Sequence, residues 1–271
     1  IMPSLVGSEM CIRDRVLERA GISVPGGYEY TSPEAGMADY RMYAGKPVVI
    51  KPKSTNFGLG ITILKHNYDE TDFKAALQIA FEHDNTVLIE KFIPGREFRI
   101  FIINDEVVGI LHRVPANVTG DGVLNIGQLI DRKNEDPLRG KGYRTPLEKI
   151  RKGREEEMFL KQQGMDFNTV PKEGEVVYLR ENSNISTGGD SIDFTDDIDD
   201  SYKAIAVEAA KALNVKITGL DMMIQDIHAP ATPDNYAIIE MNFNPAIHIH
   251  CYPFKGKNRH LNHKMSRAFG F

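Results

Sequence analysis

The chain has 271 residues, 41% hydrophobic and 26% charged, enough for one large domain or two small ones with cores of their own. A formal net charge of −5 argues against a nucleic-acid polyanion as the main partner, and no stretch approaches the roughly 20 apolar residues of a membrane span. Two cysteines, Cys11 and Cys251, give no disulfide framework and make a reducing cytoplasm the default location.

Residues 1–15 show no apolar period, no targeting h-region and no turn chemistry joining them to the chain from Val16 onward. They read as a non-native, adaptor-like segment, with an ordinary disordered N-terminus as the alternative. Natural sequence is expected to begin near Val16. VLERAGI at 16–22 reads as the end of a helix closed by Gly21. A buried strand at 47–51 ends on Lys51, and a polar loop with Gly58 and Gly60 follows. Phe73, Ala76, Leu77, Ala80 and Phe81 share one face of a helix at 71–83. Strands are expected at 86–92 and 97–103, and Asn104-Asp105 turns the chain into a third at 106–112. The charged stretch 131–175 lacks Gly/Ser low complexity and is expected to be a lid-like helical insertion. Ile198, Tyr202, Ile205, Ala209 and Leu213 predict a helix, with Thr195 as N-cap candidate and four aspartates near its positive end. Strands at 216–225 and 236–242 flank a Pro-rich loop. The fold class is α+β with mostly antiparallel strands.

Three segments carry the chemistry. In IKPKSTNFGLGI at 50–61, Lys51 closes an apolar strand, and Lys53 and Gly58 follow in a loop whose backbone N–H groups can line a phosphate. A Walker A loop is absent, and taken alone the pattern also fits a surface loop with a solvated lysine. In LIEKFIPGREFRIF at 88–101, Glu90, Lys91, Phe92 and Ile93 have the order of an extended hinge that can meet adenine. Glu97 is then placed to accept from ribose hydroxyls; a strand ending in a solvated turn is the alternative. In the third segment, Glu240 and Asn242 lie two apart and project from one strand face. A hairpin symmetric about Pro230-Ala231 places Asp221 opposite Glu240. Three oxygen donors without a nearby cysteine suit Mg²⁺. A solvated sheet face is the alternative, but strand interiors disfavour Asp and Asn unless something engages them.

These segments resemble the ATP-grasp ligases. KPKSTNFGLGI, HRVPANVTGDG (112–122), NEDPLRGKGYRTPLEKI (134–150) and LRENSNISTGGDSID (179–193) are similar to the C-terminal glutathione-synthetase part of bifunctional glutamate–cysteine ligase/glutathione synthetases. Cyanophycin synthetase is a more distant likeness. The resemblance covers Val16 to Phe271. It implies an ATP-grasp fold, N-terminally truncated, in which two α+β subdomains grip ATP: 16–93 with the phosphate loop and 94–271 with the metal site. It implies ATP and Mg²⁺ (or Mn²⁺), γ-glutamylcysteine and glycine as substrates, an acyl-phosphate intermediate, and an upstream glutamate–cysteine ligase domain in the parent protein.

Carried over by residue, Lys51, Lys53 and Gly58 would bind phosphate, Glu90, Lys91, Phe92 and Ile93 adenine, and Glu97 ribose. Asp221, Glu240 and Asn242 would hold the cation, and Arg180 would stabilise the acyl-phosphate oxyanion. Arg113 and Asn117 are substrate candidates, and Ser186, Thr187 and Gly188 a small anion nest. The chain departs from the pattern in two places. Gly219-Leu220 stands where related ligases carry an arginine just before the metal aspartate, and Met10 stands where the first ATP lysine is expected. Ligation of another acid–amine pair, cyanophycin-type or D-alanine-type, and an inactive nucleotide-binding fragment stay open as readings. His248 and His250 lack a third nitrogen or sulfur ligand and read as structural. Cys251 has no evident activating base.

Overall fold

The computed structural model describes residues 9–54, 60–65, 67–142 and 144–270, so the expectation for Gly58 lies outside the described residues. Helix α1 (Glu9–Arg19) runs across the boundary expected at residue 15, and Arg13 donates to the Ile239 carbonyl at 3.1 Å. Beyond its end the Gly21 N–H bonds back to Glu18 O at 2.9 Å, as a glycine closing a helix does. Strand β1 (Gly27–Tyr30), helices α2 (Pro33–Ala38) and α3 (Tyr40–Tyr43), strands β2 (Val48–Pro52) and β3 (Thr62–Leu64), helix α4 (Glu70–Phe81) and strand β4 (Val87–Lys91) follow. The strands form an antiparallel sheet in the order β1-β4-β2-β3. Helix α4 starts on Asp69, whose side chain forms a capping box with Asp72. It buries Phe73, Ala76, Leu77 and Ala80 against Val48, Ile50, Val87 and Ile89. Strand alternation then aims Val49, Lys51, Leu88 and Glu90 at the opposite face, with Val49 and Glu90 in register.

After β4 the chain forms the hairpin of β5 (Arg96–Ile103) and β6 (Glu106–Val114). Asn104 and Asp105 both take positive φ, 46° and 68°, which matches the right-handed twist of the strands. Strand β7 (Asn117–Thr119), helix α5 (Ile126–Lys133), strands β8 (Arg139–Gly140) and β9 (Leu147–Glu148), helix α6 (Arg154–Gln162) and strand β10 (Val176–Tyr178) come next. Strand β11 (Asp190–Asp193), helix α7 (Asp200–Ala212), strands β12 (Ile217–Ile224) and β13 (Tyr236–Asn242), and helices α8 (His248–Cys251) and α9 (Leu261–Ala268) complete the chain. The main sheet is antiparallel, in the order β11-β6-β5-β12-β13. One face packs Phe98, Ile100, Ile110, Leu220, Met222 and Ile224 against Tyr202, Ala206 and Ala209 of α7.

Two expectations need correction. The insertion is larger than 131–175 and only partly helical: β7 pairs with β10, and Val118, Ile126, Ile130, Leu160, Val177 and Leu179 make a core of their own. Low complexity is absent because this segment folds on itself. Thr195 does not cap α7; Asp199 does, accepting the Ser201 N–H at 2.9 Å. Thr195 Oγ1 instead accepts the Ile110 N–H at 2.8 Å, and Asp196 pairs with Arg259 and Lys257 rather than with the helix dipole. Among the described residues, no helix is long and apolar enough to cross a membrane.

Candidate active site in the cleft

The sheet face turned away from α7 carries a row of charges that strand alternation places side by side. Arg99 on β5 is opposite Asp221 on β12, and Asp221 is opposite Glu240 on β13. The hairpin symmetry read from the sequence therefore holds at this rung; a bulge shifts the register immediately after Asp221. Asn242 lies one step along the same face, paired with Gly219. Asp221 is fully buried. Arg99 contacts both of its oxygens, with Nη2 donating to Oδ2 at 2.7 Å, and Arg113 Nη2 donates to Oδ2 at 3.0 Å.

These contacts set the protonation of the pair. Burial pushes the Asp221 carboxyl up, but the Arg113 and Arg99 guanidiniums outweigh it and hold the group below the usual carboxylate range. The Glu240 carboxyl is pushed the other way, first by burial and then by Asp221. Its side chain opens to solvent on one side, and that water screens part of the effect. Two carboxylates and an amide on one face are hard oxygen donors that fit a divalent cation. Asn242 Nδ2 and Arg113 Nε are buried without a partner, so the row presents unmet polar groups at its edges. Among the described residues, no three His, Cys, Asp or Glu side chains form a metal-binding group.

Arg99 was missed in the sequence, although period two puts it on the same face as Glu97. It also lies against Gly219, where Pro245 Cβ would be 2.7 Å from an added Cβ. A Cβ there would stand 3.1 Å from Arg99 Cδ, so the Arg99 side chain lies over the glycine. Glu97 pairs with Arg113 and accepts from Ser183 Oγ at 2.8 Å.

On the small sheet, Lys51 Nζ lies 2.6 Å from Glu90 Oε2, both largely buried. Lys53 is taken up by Glu29 at 2.6 Å. The hinge backbone is partly committed: Lys91 N–H bonds Gly26 O at 3.2 Å, and Phe92 N–H bonds Pro47 O at 3.0 Å. Among the described residues the Ile93 N–H has no backbone acceptor. The Phe92 ring sits under the Lys65 ammonium, 5.4 Å from the centroid.

Several expected residues stand elsewhere. Arg180 is not brought to the Asp221 row; its guanidinium is held by Glu155 and Glu156 of α6, with Nε 2.6 Å from Glu156 Oε1. Asn117 is buried and fully engaged, donating to Pro115 O and Asp190 Oδ2 and accepting from Lys133 Nζ. Thr187, Gly188 and Gly189 spend their N–H groups inside their own turn, on Asn184 O and Ile185 O, so the nest is closed there. His250 is buried and neutral, its pKa pushed down to about 3 first by burial and then by Arg99. Neither of its ring nitrogens has a partner. Cys251 is buried and unpaired.

Comparison with known proteins bears on the fold. The family model described as D-ala D-ala ligase C-terminus matches residues 28–125. The glutathione biosynthesis bifunctional protein of Desulfotalea psychrophila is 60% identical over 260 residues, covering 96% of this chain and 33% of that protein. The protein of that name from Clostridium perfringens is 53% identical over 262 residues, covering 97% of this chain and 34% of that protein. The chain thus spans about a third of the length of the curated relatives it matches. The crystal structure of a bifunctional glutathione synthetase from Pasteurella multocida superposes with a TM-score of 0.73 at 45% identity, covering 98% of this chain and 37% of that one. D-alanine–D-alanine ligase from Bacillus anthracis shares the fold at a TM-score of 0.51 and 19% identity, covering 87% of this chain and 56% of that one. The chain has the ATP-grasp fold, and along nearly its whole length it is similar to the C-terminal part of bifunctional glutathione biosynthesis proteins.

Proposed function

We propose that this chain is the ligase part of a protein that joins γ-glutamylcysteine to glycine at the expense of ATP. The row Arg113–Glu97 and Arg99–Asp221–Glu240 carries the reading, because it sets guanidiniums and carboxylates alternately on one cleft wall. Asp221, Glu240 and Asn242 would hold the cation, Mg²⁺ or Mn²⁺, since hard oxygen donors and nucleotide phosphates suit both. When bound, that cation neutralises phosphate charge. The chain's own groups orient the reactants. Lys51 with Glu90, and the Ile93 N–H, would position the nucleotide, and Glu97 the ribose.

A carboxylate oxygen of the acid substrate attacks the γ-phosphorus and ADP leaves. The amine nitrogen then attacks the acyl carbon, phosphate leaves, and the amine proton passes to solvent. Arg99 and Arg113 would meet the carboxylate and the developing oxyanion, a role in which pre-placed charge does most of the catalysis. Arg180 would have to leave Glu155 and Glu156 of α6 to reach the oxyanion. A glutamate–cysteine ligase region of the parent protein would supply the dipeptide, and the cytoplasm is the expected location. The test is ADP release with a panel of acid–amine pairs, cyanophycin-type and D-alanine-type included, in this chain and in its parent. Release that is fastest with γ-glutamylcysteine and glycine is the expected result; preference for another pair would replace the substrate assignment.

A further inference from the structure

A second set of buried charges lies where the lid meets the edge of the main sheet. Asp190, the first residue of β11, gathers groups from three lid elements: Arg139 Nη2 of β8, Lys133 Nζ of α5 at 2.7 Å, and Asn117 Nδ2 of β7 at 2.9 Å. The Arg139 side chain is completely buried, and its Nη1 also donates to the carbonyls of Glu148 at 2.8 Å and Gly188 at 3.0 Å. Lys133 spends its remaining donors on Asn117 O and Asn117 Oδ1. The ring of Phe254, on the segment after α8, lies 5.1 Å from Lys133 Nζ and 5.4 Å from the Arg139 guanidinium carbon.

Two cations thus face one carboxylate in a place with little water, and burial pushes the pKa of both down. What distinguishes them is geometry. Lys133 is a point charge, whereas the planar Arg139 fork reaches β9, the 185–189 turn and β11 at once. That turn leads into β11, whose Ser191 is in register with Arg113. Upstream of it, Ser183 touches Glu97.

We infer that Arg139, with Asp190 as counter-ion, is a positioning residue that sets the Ser186–Gly189 turn and the lid against the Glu97–Arg113–Asp221 wall. What the turn meets there, the acid substrate, rests on the ligase reading above; the positioning itself does not.

The experiment is hydrogen exchange on the full chain carrying Arg139→Lys, with Lys133→Met as comparison. Arg139→Lys keeps the charge but not the fork, so peptides covering 183–190 and 147–148 should exchange roughly tenfold faster while those of β2, β4 and α4 keep the wild-type rate. Lys133→Met leaves a one-to-one Arg139–Asp190 pair and should keep the 183–190 turn protected. Where turnover is measured, Arg139→Lys should raise KM for the acid substrate about fivefold or more, with kcat and KM for ATP within about twofold of wild type. Wild-type exchange at 183–190, equal acceleration in both subdomains, equal loss of protection in Lys133→Met, or a fall in kcat alone would each overturn the inference. Exchange requires no catalysis, so a localised change in a chain without ligase activity would support the positioning role and count against the ligase reading alone.

Discussion

Replacing Asp221 by Asn removes the one negative charge that two arginines share on the cleft wall. Asp221 is 0% exposed, and its carboxylate is contacted twice by Arg99 and once by Arg113. The substitution keeps the volume but turns an NH₂ toward guanidinium donors. Breaking a buried ion pair by removing one partner costs about 3–5 kcal/mol. At about 2–4 °C per kcal/mol for a chain approaching this size, the melting temperature without nucleotide should fall by about 6–20 °C. The loss should depend on pH with a definite sign. The folded Asp221 pKa is depressed, so its contribution is fully present above the unfolded carboxylate value of about 3.9 and is lost as pH falls through the folded pKa. Variant and wild type should therefore differ most near neutrality and converge in acid. Arg99→Met added to Asp221→Asn should recover part of the loss, because neighbours in one network are not additive. The assay is denaturant and thermal unfolding followed by tryptophan-independent probes such as far-UV circular dichroism, since the chain has no tryptophan. An Asp221→Asn protein melting within about 2 °C of wild type at pH 7, less than about 1 kcal/mol, would show that this buried ion cluster does not form.

Lys51→Ala should weaken ATP binding more than tenfold, from the loss of a charge-assisted contact of about 1.5–3 kcal/mol, while Lys65→Ala, whose ammonium rests on Phe92, should change it little. Equal affinities by calorimetry would remove Lys51 from the nucleotide site. The raised pKa of Glu240 means that cation binding competes with a proton, so Mg²⁺-dependent nucleotide affinity should fall as pH drops, and Glu240→Gln should flatten that dependence. The same pH slope in wild type and Glu240→Gln would assign the proton to another group. With Met10 where the first ATP lysine is expected, the 271-residue chain should make little glutathione from γ-glutamylcysteine, glycine and Mg·ATP. Turnover matching that of the longer parent protein would show this position to be dispensable.

The local patterns were legible in the sequence. Period two placed Glu240 and Asn242 on one face, and the short connection centred on Pro230-Ala231 set Asp221 opposite Glu240. The apolar face of α4, the turn at Asn104-Asp105 and the hairpin strands could be read the same way, because each depends on residues within about one turn or one hairpin of each other. Pairings between distant segments were not legible. Arg99 and Asp221 are 122 residues apart, and nothing local says that β5 lies beside β12. Asn117 looked available for substrate because it follows a strand in a polar loop, and Arg180 for the oxyanion because a guanidinium matches developing negative charge; Asp190 and Lys133 occupy the first, and Glu155 and Glu156 the second. Which charged side chain is free and which is already paired is decided by strand order and lid packing. A short polar motif specifies the groups it offers, but the partners that neutralise them come from parts of the chain brought near only when both cores close.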